Sequence, residues 1–163
     1  MRHQVGNFKR LGVTIVHLSD GKMLVSGSRD KSLKLWASEG DANFAVQSET
    51  VAHSAAVTGV KFFAKSLSIA SCSEDKTVKV WDLEEGSKFK CRWSGFDHEK
   101  CVNGIAIAPN DKLVASAGAD KVVYLYRAKD GAKIGAFEGH KKGVWTAEFS
   151  PTAQILATGS ADG

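Results

Sequence analysis

The sequence is sparing with cysteine, proline and long apolar runs, and each shortage removes a class of protein. Its three cysteines, Cys72, Cys91 and Cys101, form no CxxC pair and leave an odd count, which argues against a disulfide framework or a zinc knuckle and fits a reduced intracellular compartment. No apolar run approaches the roughly 20 residues of a membrane-spanning helix, and the N-terminal MRHQVGNFKR lacks the apolar core of a signal peptide. No membrane partner is therefore expected. A glycine-rich phosphate loop of the Walker or dinucleotide type is missing, as are any long helical pattern, low-complexity tract or interdomain linker. Neither sign of charge dominates: 22 basic residues stand against 18 acidic ones, a net charge of +4 that only weakly favours an acidic partner.

What the chain does have is a repeat. From His53 to Asp82 it reads HSAAVTGVKFFAKSLSIASCSEDKTVKVWD, three short apolar runs separated by polar connections, the signature of a small antiparallel sheet. His53 lies 22 residues before Asp75, and Trp81 follows that aspartate by 6. A shift of 45 residues downstream places His98, Ser116, Asp120 and Tyr126 under His53, Ser71, Asp75 and Trp81. The same shift upstream gives Phe8, Ser26, Asp30 and Trp36. A last copy starts at His140, keeps the 22-residue interval to Asp162 and supplies Thr158 in the serine position.

A period in the forties with about four strands per unit and a Gly-His and Trp-Asp vocabulary resembles the WD-repeat (WD40) β-propeller family. The expected fold is all-β: a single incomplete propeller over residues 1–163, with three four-stranded antiparallel blades near 8–48, 53–93 and 98–137 and a truncated fourth at 140–163. Propeller rings normally take roughly four to eight blades, so the chain reads as a segment of a longer protein. Strands are expected at 13–18, 23–28 and 32–37 with an outer strand at 44–47; then at 57–62, 68–73, 77–82 and 88–93. The third unit should use 102–107, 113–118, 122–127 and 132–137, and the fourth 145–149 and 155–160. Ser19-Asp20-Gly21, Pro109-Asn110-Asp111 and Pro151 supply turns.

The resemblance to WD repeats implies that the histidine bonds the aspartate or a nearby serine, and that the serine links to the indole nitrogen. The fullest set is then His53, Ser71, Asp75 and Trp81, followed by His98, Ser116, Asp120 and Tyr126, where a phenol hydroxyl replaces the indole. Ser26, Asp30 and Trp36 form a set without a histidine, and His140, Thr158 and Asp162 one without an aromatic. A His, Asp and Ser combination also invites a catalytic reading. Its recurrence from unit to unit argues against that, because an active site needs one distinctive copy in a concave pocket.

His98 and Cys101 have a spacing compatible with metal ligands but no second pair, and Glu84-Glu85 reads as a solvated turn rather than an acid and base pair. No catalytic residue, metal, cofactor or small-molecule substrate is expected. One surface stands out: Lys31, Lys76 and Lys121 each follow the turn aspartate, and Lys100, Lys141 and Lys142 lie in the histidine loops. These six should emerge on one face as a basic arc for RNA or a partner protein, diluted by Glu74 and Glu99.

Two stretches narrow the family. DHEKCVNGIAIAPNDKLVASAGAD (97–120) and GHKKGVWTAEFSPTAQILATGSADG (139–163) resemble consecutive repeats of the transducin-beta-like protein three family, WD-repeat subunits of the UTP-B complex in the small-subunit processome. The resemblance implies a nucleolar scaffold acting in pre-ribosomal RNA processing and ribosome biogenesis, bound to other protein subunits and close to the U-three small nucleolar RNA and pre-ribosomal RNA. Tyr126 in place of tryptophan and Cys101 in place of a polar residue depart from that pattern. The alternative is a cytoplasmic WD-repeat adaptor or signalling scaffold. Many ubiquitin-ligase receptors of this kind carry arginine two residues after Trp-Asp, whereas Trp81-Asp82 is followed here by Leu83 and Glu84.

Overall fold

A computed structural model describes residues 14–17, 22–40, 43–84 and 88–163. Phe8 and the Ser19-Asp20-Gly21 turn lie outside the described residues. Three four-stranded sheets follow one another along the chain, each an antiparallel meander in sequence order. The first contains β1 (Thr14–His17), β2 (Met23–Gly27), β3 (Ser32–Gly40) and β4 (Asn43–Val51). The second contains β5 (Val57–Phe62), β6 (Ser68–Ser73), β7 (Val78–Glu84) and β8 (Lys88–Gly95). The third contains β9 (Val102–Ile107), β10 (Leu113–Gly118), β11 (Val123–Arg127) and β12 (Lys133–Phe137). A hairpin of β13 (Val144–Phe149) and β14 (Leu156–Ser160) completes the array, an all-β, partial propeller arrangement.

Short turns force neighbouring strands to run antiparallel, and the turn between the second and third strand of each sheet has a fixed construction. In the second sheet the amide of Lys76 donates to the Ser73 carbonyl at 3.2 Å and that of Ser73 to the Thr77 carbonyl at 3.2 Å, with Lys76 at a φ of 71°. This is a tight turn closed by one left-handed residue. The same bonds and φ values of 75° and 76° recur at Lys31 and Lys121.

The hydrophobic interior lies between the sheets. Val25 and Leu33 of the first sheet meet Val57, Val60, Ile69 and Trp81 of the second. On the other side of the second sheet, Cys72, Val78, Val80 and Trp93 face Val102, Ile105, Val114 and Tyr126. Ala115, Ala117 and Val123 then pack on Val144 and Ala147. The second and third sheets are thus layers with an apolar face on both sides, and β6 is buried along its whole length. That explains why SIASCS shows small residues instead of strict alternation: neither face is solvated. Hydrogen bonds also tie the innermost strands together, from Thr58 Oγ1 on β5 to the Val102 carbonyl on β9 (2.6 Å) and from Asn103 Nδ2 to the Val144 carbonyl on β13 (2.8 Å).

The outer strands differ most from expectation. The strands expected at 32–37 and 44–47 are instead longer, a hairpin arm of β3 and β4 reaching Val51. Backbone pairing continues there through exposed Ser38 and Glu49, which carry no apolar signal. Glu84, expected in a turn, ends β7 and pairs with Lys90 on β8 at 2.5 Å.

Candidate functional site

In the second sheet the histidine loop folds over the end of the β6–β7 turn. His53 Nδ1 lies 3.0 Å from Asp75 Oδ2, and His53 Nε2 lies 2.8 Å from Ser71 Oγ. Trp81 Nε1 donates to the same serine oxygen at 2.9 Å. Burial is the leading influence on the imidazole and holds its pKa below 6.5 despite the Asp75 carboxylate, so the ring is neutral at pH 7. The protons are then assigned: Nδ1–H donates to Asp75, Ser71 Oγ–H donates to Nε2, and the serine oxygen accepts from the indole. No side-chain polar atom of His53, Ser71 or Trp81 is left over.

Asp75 gathers more than the histidine. Its carboxylate accepts from Thr77 Oγ1 (2.6 Å), from the Thr77 amide (3.0 Å) and from the Ser54 amide (2.8 Å). Burial alone would raise its pKa, but the Thr77 hydroxyl, the two amides and His53 outweigh it and hold the carboxyl down at about 2. The Asp75 amide donates to Ser73 Oγ at 3.0 Å.

The third sheet repeats the frame with shorter bonds and fewer members. His98 Nδ1 stands 2.8 Å from Asp120 Oδ2 and Nε2 2.7 Å from Ser116 Oγ. The Glu99 amide donates to Asp120 at 3.0 Å and the Val122 amide at 3.3 Å. The expectation that Tyr126 closes this set through its hydroxyl is not met. Its ring is wholly buried against Trp93, 5.7 Å between centroids, and Oη has no hydrogen-bond partner although Ser116 and Asp97 are its polar neighbours. A phenol is longer and points its oxygen along the ring axis, so it passes the serine that an indole edge would meet.

In the hairpin, His140 Nδ1 lies 3.1 Å from Asp162 Oδ2 and Nε2 2.9 Å from Thr158 Oγ1. In the first sheet Trp36 Nε1 donates to Ser26 Oγ at 2.9 Å, while Asp30 accepts from Ser32 Oγ at 2.6 Å and the Ser32 amide at 3.0 Å. Sequence reasoning missed the residues two before and two after each aspartate. Ser28, Ser73 and Ser160 occupy the first place and Gly118 the corresponding one in the third unit; Ser32 and Thr77 occupy the second, with Val122 in the third unit. Aligning the repeats two residues either side of the aspartate would have found them.

Other clasps between sheets were also missed. Asp111 accepts from the amides of Ala64 (2.9 Å) and Lys65 (2.6 Å) in the preceding unit. Arg92 bonds Asp82 through Nε at 3.0 Å and through a second nitrogen, reaches Ser68 Oγ at 3.0 Å, and donates to the Ala128 carbonyl at 3.2 Å. Trp93 Nε1 donates to that carbonyl at 2.9 Å.

The wiring of Ser71, His53 and Asp75 is that of a Ser-His-Asp triad, with serine on Nε2 and carboxylate on Nδ1. Ser71 is wholly buried and its oxygen already takes the Trp81 indole, so no substrate reaches it. Both nitrogens of His98 are engaged by Asp120 and Ser116, which leaves none for a metal beside Cys101. Among the described residues no group of three or more His, Cys, Asp or Glu side chains is placed to hold a metal ion. Lys76, Lys100, Lys121, Lys141 and Lys142 are all exposed, on the turns and loops that the histidine and aspartate bonds join, and exposed Lys31 lies on the first unit's turn, where its carbonyl accepts from the His53 loop.

Stacked antiparallel meanders, locked at one end in the second, third and fourth units by a histidine and aspartate bond, define a β-propeller repeat protein. The family model described as "WD domain, G-beta repeat" matches residues 6–37, 46–82, 89–127 and 131–163, and the chain belongs to this WD40 family. Repeats of this family usually form non-catalytic scaffolds. Among curated proteins, a stretch of 30 residues is 53% identical to eukaryotic translation initiation factor 3 subunit I of Aspergillus niger. That match covers 18% of this chain and spans 9% of the relative's length.

Proposed function

We propose that the chain is a non-catalytic scaffold of the small-subunit processome, a UTP-B component that works in the nucleolus in pre-ribosomal RNA processing. The scaffold half of this reading is carried by one observation: the hydrogen-bonded His, Asp and hydroxyl set recurs in the second, third and fourth units, and none of the three is singled out for chemistry. The assembly half is supported by the 97–120 and 139–163 stretches, which resemble the transducin-beta-like protein three family. In the first of them Asp111 of the APND turn caps the preceding unit, so residues particular to that resemblance also hold neighbouring sheets together. Partners would be other protein subunits, with the U-three small nucleolar RNA and pre-ribosomal RNA close by.

A second reading, a cytoplasmic scaffold, is favoured by the short match to the initiation-factor subunit. Localising the full-length protein and sequencing the RNA that co-purifies with it separates the two. Nucleolar residence with pre-ribosomal RNA is the expected result. Cytoplasmic residence without that RNA overturns the processome reading and leaves the adaptor.

A further inference from the structure

The lysines on the histidine-bearing face differ from those elsewhere in two respects. Lys31, Lys76 and Lys121 stand at φ values of 75°, 71° and 76°, a region that favours glycine. The fourth unit places Gly163 at the same point of the repeat, with φ at 99°. The turn therefore accepts glycine, yet three units carry a long cation there against the backbone preference.

The second difference is pairing. Lys34, Lys61, Lys90 and Lys133 are held by Glu49, Glu148, Glu84 and Asp97. Lys31, Lys76, Lys100, Lys121, Lys141 and Lys142 are exposed, and among the described residues none has a carboxylate within ion-pair distance. The tetrad carboxylates lie beneath them: the Asp75 and Asp120 side chains are each 6% exposed, with their oxygens taken by imidazoles and turn amides. Exposed Asp30, Glu74, Glu99 and Glu138 oppose the lysines, and Arg29 adds to them. At a screening length of about 8 Å, the charges nearest an approaching polyanion count most, and here those are the ammonium tips.

The loops that present these side chains are fixed. The Lys31 carbonyl accepts from the amides of Ala52 (3.0 Å) and His53 (3.2 Å), and the Lys141 amide donates to Asp162 at 2.6 Å. Phe96, two residues before His98 on one of these loops, is 73% exposed. Point cations spread unit by unit, with an aromatic ring among them, suit a phosphate chain with stackable bases better than a protein, whose interface would need an apolar centre. A cavity of about 650 Å³ lies at the other end of the sheets, between the Pro109 and Pro151 turns.

We infer that the histidine-bearing face docks single-stranded RNA, its lysines holding phosphates and Phe96 stacking a base. This rests on the reading that the protein works within an RNA-containing assembly. The test is fluorescence anisotropy of the full-length protein with a labelled 20-nucleotide oligouridylate between about 50 and 200 mM salt. Each phosphate-bound lysine adds about 0.7 to the slope of log affinity against log salt for a single strand. The K31G/K76G/K121G variant should lower the slope by about 2 and weaken binding at least about tenfold. Its melting midpoint should equal or exceed that of the unaltered protein, because these turns favour glycine. Phe96→Ala should lose affinity with the slope unchanged, and Lys90→Gln, whose lysine is paired with Glu84, should bind as before.

An unchanged slope in the triple variant overturns the inference. So does displacement of the RNA by polyglutamate as readily as by unlabelled oligouridylate, which would mark a surface for acidic proteins. If the triple variant binds normally while pre-ribosomal RNA still co-purifies, the face is wrong and the processome reading stands. If the variant loses RNA while the protein is absent from the nucleolus, the reverse holds.

Discussion

The second and third sheets share one plan, and the third has lost three of its hydrogen-bonding side chains. Ser73, Thr77 and Trp81 of the second unit correspond to Gly118, Val122 and Tyr126 of the third. The first removes the serine oxygen that accepts the aspartate's amide in the second unit, the second leaves Asp120 with amides and an imidazole but no hydroxyl donor, and the last leaves a buried phenol oxygen unpartnered. Yet the bonds from histidine to aspartate and serine are kept at 2.8 and 2.7 Å. The part of the tetrad that survives is the part that joins the histidine loop to the turn. The indole, which adds packing and one hydrogen bond, is replaceable by another large ring. Gly118 shows the same economy: a side chain there would run into His98 and Asp120.

This contrast can be broken most severely at Trp81, which is 6% exposed and packs between the first and second sheets. Trp81→Ala should cost about 3–5 kcal/mol in urea unfolding, as large core truncations do; a loss below about 1 kcal/mol would place the indole outside the core. Next comes the aspartate. Asp75→Ala should destabilise by about 2–3 kcal/mol, because it strands the buried Thr77 hydroxyl and His53, and should exceed Asp120→Ala by about 1 kcal/mol. Equal losses would deny Thr77 its part.

Phenylalanine sharpens the comparison by changing its sign. At position 126 it removes an unpartnered buried hydroxyl and should leave stability unchanged or raise it by up to about 1 kcal/mol. At position 81 the same residue deletes the indole bond to Ser71 and should lower it. Two losses of equal size would mean that Tyr126 Oη is bonded after all.

Acid should separate the charges in order. The folded-state pKa values of His53 and His98 are held below 6.5, chiefly by burial, so the unfolded chain binds the extra protons first and stability falls as pH drops below about 6.5. Asp75 sits at about 2 against an ordinary 3.8, so its contribution is complete above about 3.8 and is lost as pH falls towards 2. A midpoint of thermal unfolding followed from pH 7 to about 2 should decline in two stages. His53→Gln should flatten the upper one.

The inner strands were legible because turn residues bracket them. The strand ranges expected at 57–62, 68–73, 102–107 and 113–118 coincide with β5, β6, β9 and β10. The lengths of β3, β4 and β7 were not, since an outer strand ends where its partner's backbone ends, and polar residues such as Ser38 and Glu84 extend it without an apolar mark. Within the site, the intervals marked His53, Asp75 and Trp81 as equivalent positions, the resemblance to WD repeats implied how they pair, and the structure brings them together. They carried no information about Thr77, because a hydroxyl two residues after an aspartate reads equally well as an ordinary strand residue. Nor could they tell that a phenol would miss its serine, since that depends on ring length rather than on spacing.

Coupling between the histidine loop and the turn is the claim on which the account stands, and a double-mutant cycle of His53→Ala and Asp75→Ala in urea unfolding measures it directly. The account predicts a coupling of at least about 1 kcal/mol, the double variant losing less than the sum of the two single variants. Additive losses within about 0.3 kcal/mol would contradict it, because the two side chains would then act independently.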